Sequence, residues 1–257
     1  MITRLMMTRA APCALRVRVT AAPLQSRMRF FATSAPAPAT DDAESTFHKG
    51  LEKLDEGRLS AAVELFAAAA ERGSADGNFH LALAYDGLLG RDAADEAPVP
   101  PDAAAAARCY QRAAEGGHEM AMLNLSLCYR TGEGVAADTA TAWTWLCRSA
   151  DAGCDRAQFN AGVALDPLHP PYGTPGVDMV PKDAPAAVGY YRQAVAQGHG
   201  KAKVNLGVAL YTGTGVAKDP SAAASLWHEA NEEGISQAAF CLSNMEKSPG
   251  RLEKMFE

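Results

Sequence analysis

Histidine, cysteine, the Gly-x-Gly turn and a recurring asparagine are the features of this sequence that could do chemistry. The six histidines are scattered, and no two stand at the i, i+4 spacing of a helical zinc site. His118 and His199 follow glycines, His80 and His228 sit in helical stretches, and His169 lies among prolines. No His-Glu-x-x-His occurs, so neither a metal nor any other cofactor is expected. Gly132-Glu133-Gly134 and Gly213-Thr214-Gly215 could cradle phosphate only after a strand and at the opening of a helix. Both fall between two helical stretches and read as turns. No Ser-x-x-Lys nucleophile motif is present, and the chain is expected not to be an enzyme.

Cysteine chemistry is equally sparse. Cys13 lies in a basic N-terminal stretch, leaving Cys109, Cys128, Cys147, Cys154 and Cys241. That odd number suits free, mostly buried thiols acting as small hydrophobes. A Cys147–Cys154 pairing stays open as the minority alternative. The remaining candidate is the asparagine at 124, 160 and 205, whose recurrence points to a repeated element that positions it.

That element is an internal repeat. Five segments end alike, LFAAAAERG at Gly73, CYQRAAEGG at Gly117, WLCRSADAG at Gly153, YYRQAVAQG at Gly198 and LWHEANEEG at Gly234. The intervals are 44, 36, 45 and 36 residues, so a unit of 36 carries extra loop in two copies. After each glycine comes a second related stretch: GNFHLALAY, AMLNLSLCY, AQFNAGVAL, AKVNLGVALY and a degraded AAFCLSNM. Each unit reads as two helices joined by a glycine turn. Asp102, Asp138, Asp183 and Asp219 precede the second helices and can cap them, and Pro220 suits a first turn.

The motif A-x-x-N-L-G-x-x-Y-x-x-G-x-G-V-x-x-D…W…G is seen best from Ala202 through Gly213, Gly215, Asp219 and Trp227 to Gly234. It resembles the Sel-1-like repeat, a relative of the tetratricopeptide repeat. The copy from Ala121 to Gly153 is nearly as good, while Leu88 to Pro101 and Asp166 to Lys182 interrupt two others. The resemblance implies an all-α, right-handed α-solenoid of about five helix-turn-helix repeats, with first helices on the concave side. Repeats of this kind are stable only by stacking on their neighbours. Cysteine-rich relatives in oxidising compartments staple successive units with cysteines seven residues apart. Here Ala150 and Ala157, Ala114 and Ala121, and Val195 and Ala202 occupy those positions. The missing staples favour the mitochondrial matrix over the intermembrane space. They also count against the alternative function, a penicillin-binding or hydrolase-type activity.

By the same resemblance, a stripe of each first helix faces a partner groove. The expected groove residues are Phe79, His80 and Leu83; Leu123, Asn124, Leu127 and Arg130; Phe159 and Asn160; and Val204, Asn205 and Val208. Asparagines there would hydrogen-bond an extended peptide while the apolar side chains fill its gaps. The bland alternative is that these amides only tie one helix to the next. Trp143, Trp145 and Trp227 are expected in the core between helices.

Charge and termini add the cellular setting. Residues 1–40 hold six arginines and no acidic residue, leaving 18 basic against 30 acidic side chains, a net of −12, in the remainder. Such a surface repels phosphate backbones, so no nucleic-acid partner is expected. An arginine-rich, acid-free start is the composition of a mitochondrial transit peptide, assigned here to residues 1–38. Residues 39–45 read as a linker, 46–247 as the solenoid and 248–257 as a tail, with no transmembrane segment. The expected role is a protein-binding scaffold in mitochondria: an assembly factor, or a peripheral subunit of a larger complex such as the respiratory chain or mitoribosome.

Overall fold

The computed structural model describes residues 42–89, 99–168 and 181–247. The expected transit peptide, residues 39–41 of the linker, much of both long loops and the C-terminal tail lie outside these residues. Among the described residues there are eleven helices and no strand. They are α1 (Ala43–Asp55), α2 (Leu59–Glu71), α3 (Ala75–Tyr85), α4 (Ala103–Glu115), α5 (Glu119–Thr131) and α6 (Thr139–Asp151). There follow α7 (Asp155–Leu165), α8 (Ala184–Ala196), α9 (Gly200–Thr212), α10 (Pro220–Glu232) and α11 (Ser236–Lys247). The fold is the expected all-α solenoid type.

Caps set the helix limits. The carboxylates of Asp102, Asp183 and Asp219 accept from the backbone N–H of Ala105, Ala186 and Ala222, at 2.9, 3.0 and 2.9 Å. Asp138 accepts from Ala140 and Thr141. Each aspartate thus takes up a donor that the first turn leaves orphaned. One boundary differs from the sequence reading. Folded structure was expected near Thr46, but Asp42 accepts from Ser45 N–H and starts α1 at Ala43.

Two compact units divide the described chain. The first takes α1 to α4, the opening residues of α5 and the turn Glu133–Val135; the second takes the rest. Within each, helices pack on their neighbours in the chain, α1 on α2, α2 on α3 and α3 on α4, then α6 on α7 and onward to α11. This is the one-dimensional stacking that a repeat protein needs to bury its apolar faces.

A large side chain on the second helix anchors three of the hairpins. Phe66, Tyr191 and Trp227 are wholly buried. Each lies against a glycine of its partner helix: Gly50, Gly162 and Gly207. A Cβ at Gly162 would stand 2.6 Å from the Tyr191 ring, so the small residue is a seat for the aromatic one. Burying a side chain of this size contributes about 1.5–3 kcal/mol. In unit 1, Phe47, Ala62, Phe66 and Ala69 form one core cluster. In unit 2, Tyr211, Ala223, Trp227, Ala230 and Cys241 form another.

Candidate functional site

The Gly-x-Gly turns have a packing role. Gly134 and Gly215 both have positive φ, 75° and 72°. A Cβ on Gly134 would collide with the Ala103 carbonyl, and one on Gly215 with that of Ala184. The turn must therefore press its backbone onto the start of a second helix, which only glycine permits in that conformation.

The thiols are also accounted for. Cys109, Cys128, Cys154 and Cys241 are buried, Cys147 is half-buried, and none of the five is in a disulfide. Cys147 and Cys154 are therefore not paired. Burial raises the thiols of Cys109 and Cys147, and pushes that of Cys241 up to about 11. Thiols held protonated in this way are poor nucleophiles. Among the described residues no group of His, Cys, Asp and Glu could hold a metal ion. No described helix is long and apolar enough to cross a membrane. Of the tryptophans, Trp227 is core, whereas Trp143 and Trp145 are only partly buried.

In unit 1 the expected groove residues separate. The His80 ring lies edge-on to Phe47 at 4.9 Å and 5.1 Å from Phe66, and its Nδ1 is 3.0 Å from the Asp76 carbonyl. Burial lowers its pKa from the ordinary value. His80 therefore packs into the aromatic cluster and does not present an amide-like group in place of asparagine. Phe79 is half-buried with its ring stacked on His118, 4.1 Å between centroids, and Leu83 is half-buried.

In unit 2 the apolar and polar members divide by burial. Leu123, Val204 and Val208 are 3%, 6% and 8% exposed, so they belong to the core and cannot line a groove. The two valines join the Trp227 cluster. The cause is stripe width: helix packing here buries an arc that takes in these positions as well. Leu127, Phe159, Asn124 and Asn160 remain half-buried.

The three asparagines are not equivalent. Asn205 donates from Nδ2 to the Tyr191 hydroxyl at 3.2 Å, and that hydroxyl donates to Asp166 at 3.0 Å. This amide ties α9 to α8, which is the bland alternative realised at one position. At the previous repeat Leu146 stands where Tyr191 stands, with no hydroxyl to engage Asn160. Arg130, at the end of the α5 stripe, is half-buried, and its Nε is buried without a hydrogen-bond partner.

A recurring contact was not foreseen from sequence. His118 Nδ1 accepts from Ala121 N–H at 3.3 Å while its ring stacks on Phe79. His199 Nδ1 accepts from Ala202 N–H at 3.2 Å while its ring stacks on Phe159 at 4.6 Å. Each histidine caps a first helix and clamps the aromatic residue of the preceding one. The signal was a Gly-His pair about one repeat after each phenylalanine, which reads as loop until the stacking is seen.

The family model described as the Sel1 repeat matches residues 49–74, 76–118, 119–154, 172–199 and 200–235. Among solved structures, the chain is similar to a Sel1 repeat protein from Oxalobacter formigenes, with a TM-score of 0.64 and 23% identity. That match covers 84% of this chain and 85% of the other. It is also similar to a protective antigen of uropathogenic Escherichia coli strains displaying an SLR fold, with a TM-score of 0.63 and 24% identity. There it covers 83% of this chain but only 44% of the antigen. At these identities the likeness speaks for the fold. Comparison with curated proteins gives no match.

Proposed function

Because the chain belongs to the Sel1 repeat family, whose repeats mediate contacts between proteins, we propose that it is a non-catalytic scaffold holding a segment of another protein on its first-helix stripe. The observation that carries this reading is the pair Asn124 and Asn160, half-buried amides on successive first helices, flanked by half-buried Leu127 and Phe159. An extended segment passing over them could exchange backbone hydrogen bonds with both amides and lay side chains on the apolar pair. Asn205 is left to the architecture by its bond to Tyr191.

The setting we assign is the mitochondrion, with the matrix as compartment and assembly or peripheral membership of a larger complex as role. The support is residues 1–40, with six arginines and no acidic residue. It is also that none of the five described cysteines is in a disulfide, which suits a reducing compartment.

The test is affinity purification from isolated mitochondria, comparing the native chain with a folded Asn124→Ala/Asn160→Ala variant. Partners recovered with the native chain and lost from the variant support the reading. Equal recovery moves the contact to another surface. A fluorescent protein fused behind residues 1–38 tests the compartment separately, and a cytosolic signal would refute the mitochondrial assignment.

A further inference from the structure

The stripe that carries Asn124 ends in a guanidinium whose Nε has no hydrogen-bond partner among the described residues. Just past α3 and α7 the same register position is aspartate, and each carboxylate accepts from a tyrosine hydroxyl of the following helix. Tyr110 donates to Asp86 at 2.6 Å, and Tyr191 to Asp166 at 3.0 Å. The α5–α6 hairpin departs from that pattern at both places, with Arg130 for the aspartate and Leu146 for the tyrosine. Leucine can neither donate nor accept.

Arg130 is consequently a half-buried guanidinium whose Nε has no hydrogen-bond partner. Burial alone draws its pKa below the ordinary value, and no described carboxylate acts against that shift. A desolvated guanidinium without an anion is unfavourable, and its planar fork matches a carboxylate through two parallel hydrogen bonds. Resting on the groove reading above, we infer that Arg130 receives an aspartate or glutamate side chain of the bound segment.

The placement fits that occupant. Arg130 lies six residues beyond Asn124, about 9 Å along the helix axis, with half-buried Leu127 between them. A backbone held at Asn124 can thus send one acidic side chain down the helix to the guanidinium. Because Asn160 offers a second amide on the next first helix, the segment continues, so the acid is internal and not its terminus. Residues 41–257 carry 18 basic and 30 acidic side chains, so acidic residues of the segment beyond this anchor meet an unfavourable field.

The experiment is a selection of peptides of about ten residues on the full 257-residue chain. They are displayed through their C-termini so that no terminal carboxylate is free. The same selection uses Arg130→Asp/Leu146→Tyr, which installs the aspartate–tyrosine pair of α3–α4 and α7–α8 and is checked by circular dichroism melting. If that variant melts below the native chain, Arg130→Gln supplies the comparison. The expected result is a shared Asp or Glu in peptides enriched on the native chain. In a capped synthetic peptide, its change to Asn or Gln should weaken binding about 10- to 100-fold, and have little effect on the variant.

Enriched peptides without a shared acid would overturn the inference and leave the groove reading intact. So would an acid whose loss costs as much on the variant, because its receptor would then lie elsewhere. Enrichment only from a parallel library with free C-termini would overturn the side-chain assignment in favour of a terminal carboxylate. No enrichment from either library would refute the groove reading and this inference with it.

Discussion

The side-chain amide of Asn205 donates to the hydroxyl of Tyr191 across 3.2 Å, and the same hydroxyl donates to buried Asp166. One phenol therefore joins α7, α8 and α9. Asn205→Ala removes a single bond and should cost about 1 kcal/mol. Tyr191→Phe leaves a buried carboxylate short of a donor and should cost about 1–3 kcal/mol. Asn160→Ala should stay within about 0.5 kcal/mol of the native chain. Urea unfolding of the three variants measures this, and equal losses at 160 and 205 would contradict the division between them.

Gly207 and Gly189 should respond to alanine with opposite signs. A Cβ at Gly207 would stand 2.8 Å from Trp227 Cδ1, and the indole is held there by its Nε1–H bond to the Val204 carbonyl at 3.1 Å. Gly207→Ala is therefore expected to destabilise by about 1–3 kcal/mol through overpacking. Gly189, inside α8, has open space around it, and Gly189→Ala should stabilise by about 0.5–1 kcal/mol. Thermal melts of both variants check the pair.

Stability should fall on mild acidification. Burial lowers the pKa of both His80 and His199 from the ordinary 6.5. The unfolded chain then takes up these protons more readily than the folded one, so acid favours unfolding. The contribution is present above about pH 6.5, is lost as pH drops through the lowered folded-state values, and levels off below them. His199 also needs an unprotonated Nδ1 to accept from Ala202 N–H. Melting temperature measured at several pH values should show the decline. His199→Asn, which retains a cap acceptor without titrating there, should flatten it.

Alkylation of the native protein should rank the described cysteines by burial. Cys147, the half-buried thiol, should be modified before Cys109, Cys128, Cys154 and Cys241. Peptide mapping after brief iodoacetamide treatment reads the order. Early labelling of Cys241, whose thiol is pushed up to about 11, would contradict its place in the Trp227 cluster.

The repeat was legible in the sequence because its devices are local. A capping aspartate acts within three residues, as Asp102 does on Ala105, and a turn glycine acts on its own backbone. Both recur at visible intervals. The candidate site was legible only as a stripe of positions. His80 was placed there by alignment with the asparagines, yet its ring turns into Phe47 and Phe66. Leu123, Val204 and Val208 were placed there by phase, yet neighbouring helices cover them.

The sequence by itself determined the family, the helical hairpins and the aspartate caps. Each of these depends on residues close along the chain, and short-range geometry varies little between copies. Tertiary structure alone decided which of three identical asparagines is held and which is half open. Between Asn205 and Asn160 that outcome depends on whether the preceding helix supplies Tyr191 or Leu146. It also decided that Arg130 is a half-buried charge whose Nε has no hydrogen-bond partner among the described residues. Asp86 and Asp166, at the same register, meet phenols contributed by another helix. Such partners are separated in sequence by more than 20 residues, and only packing brings them within hydrogen-bonding distance.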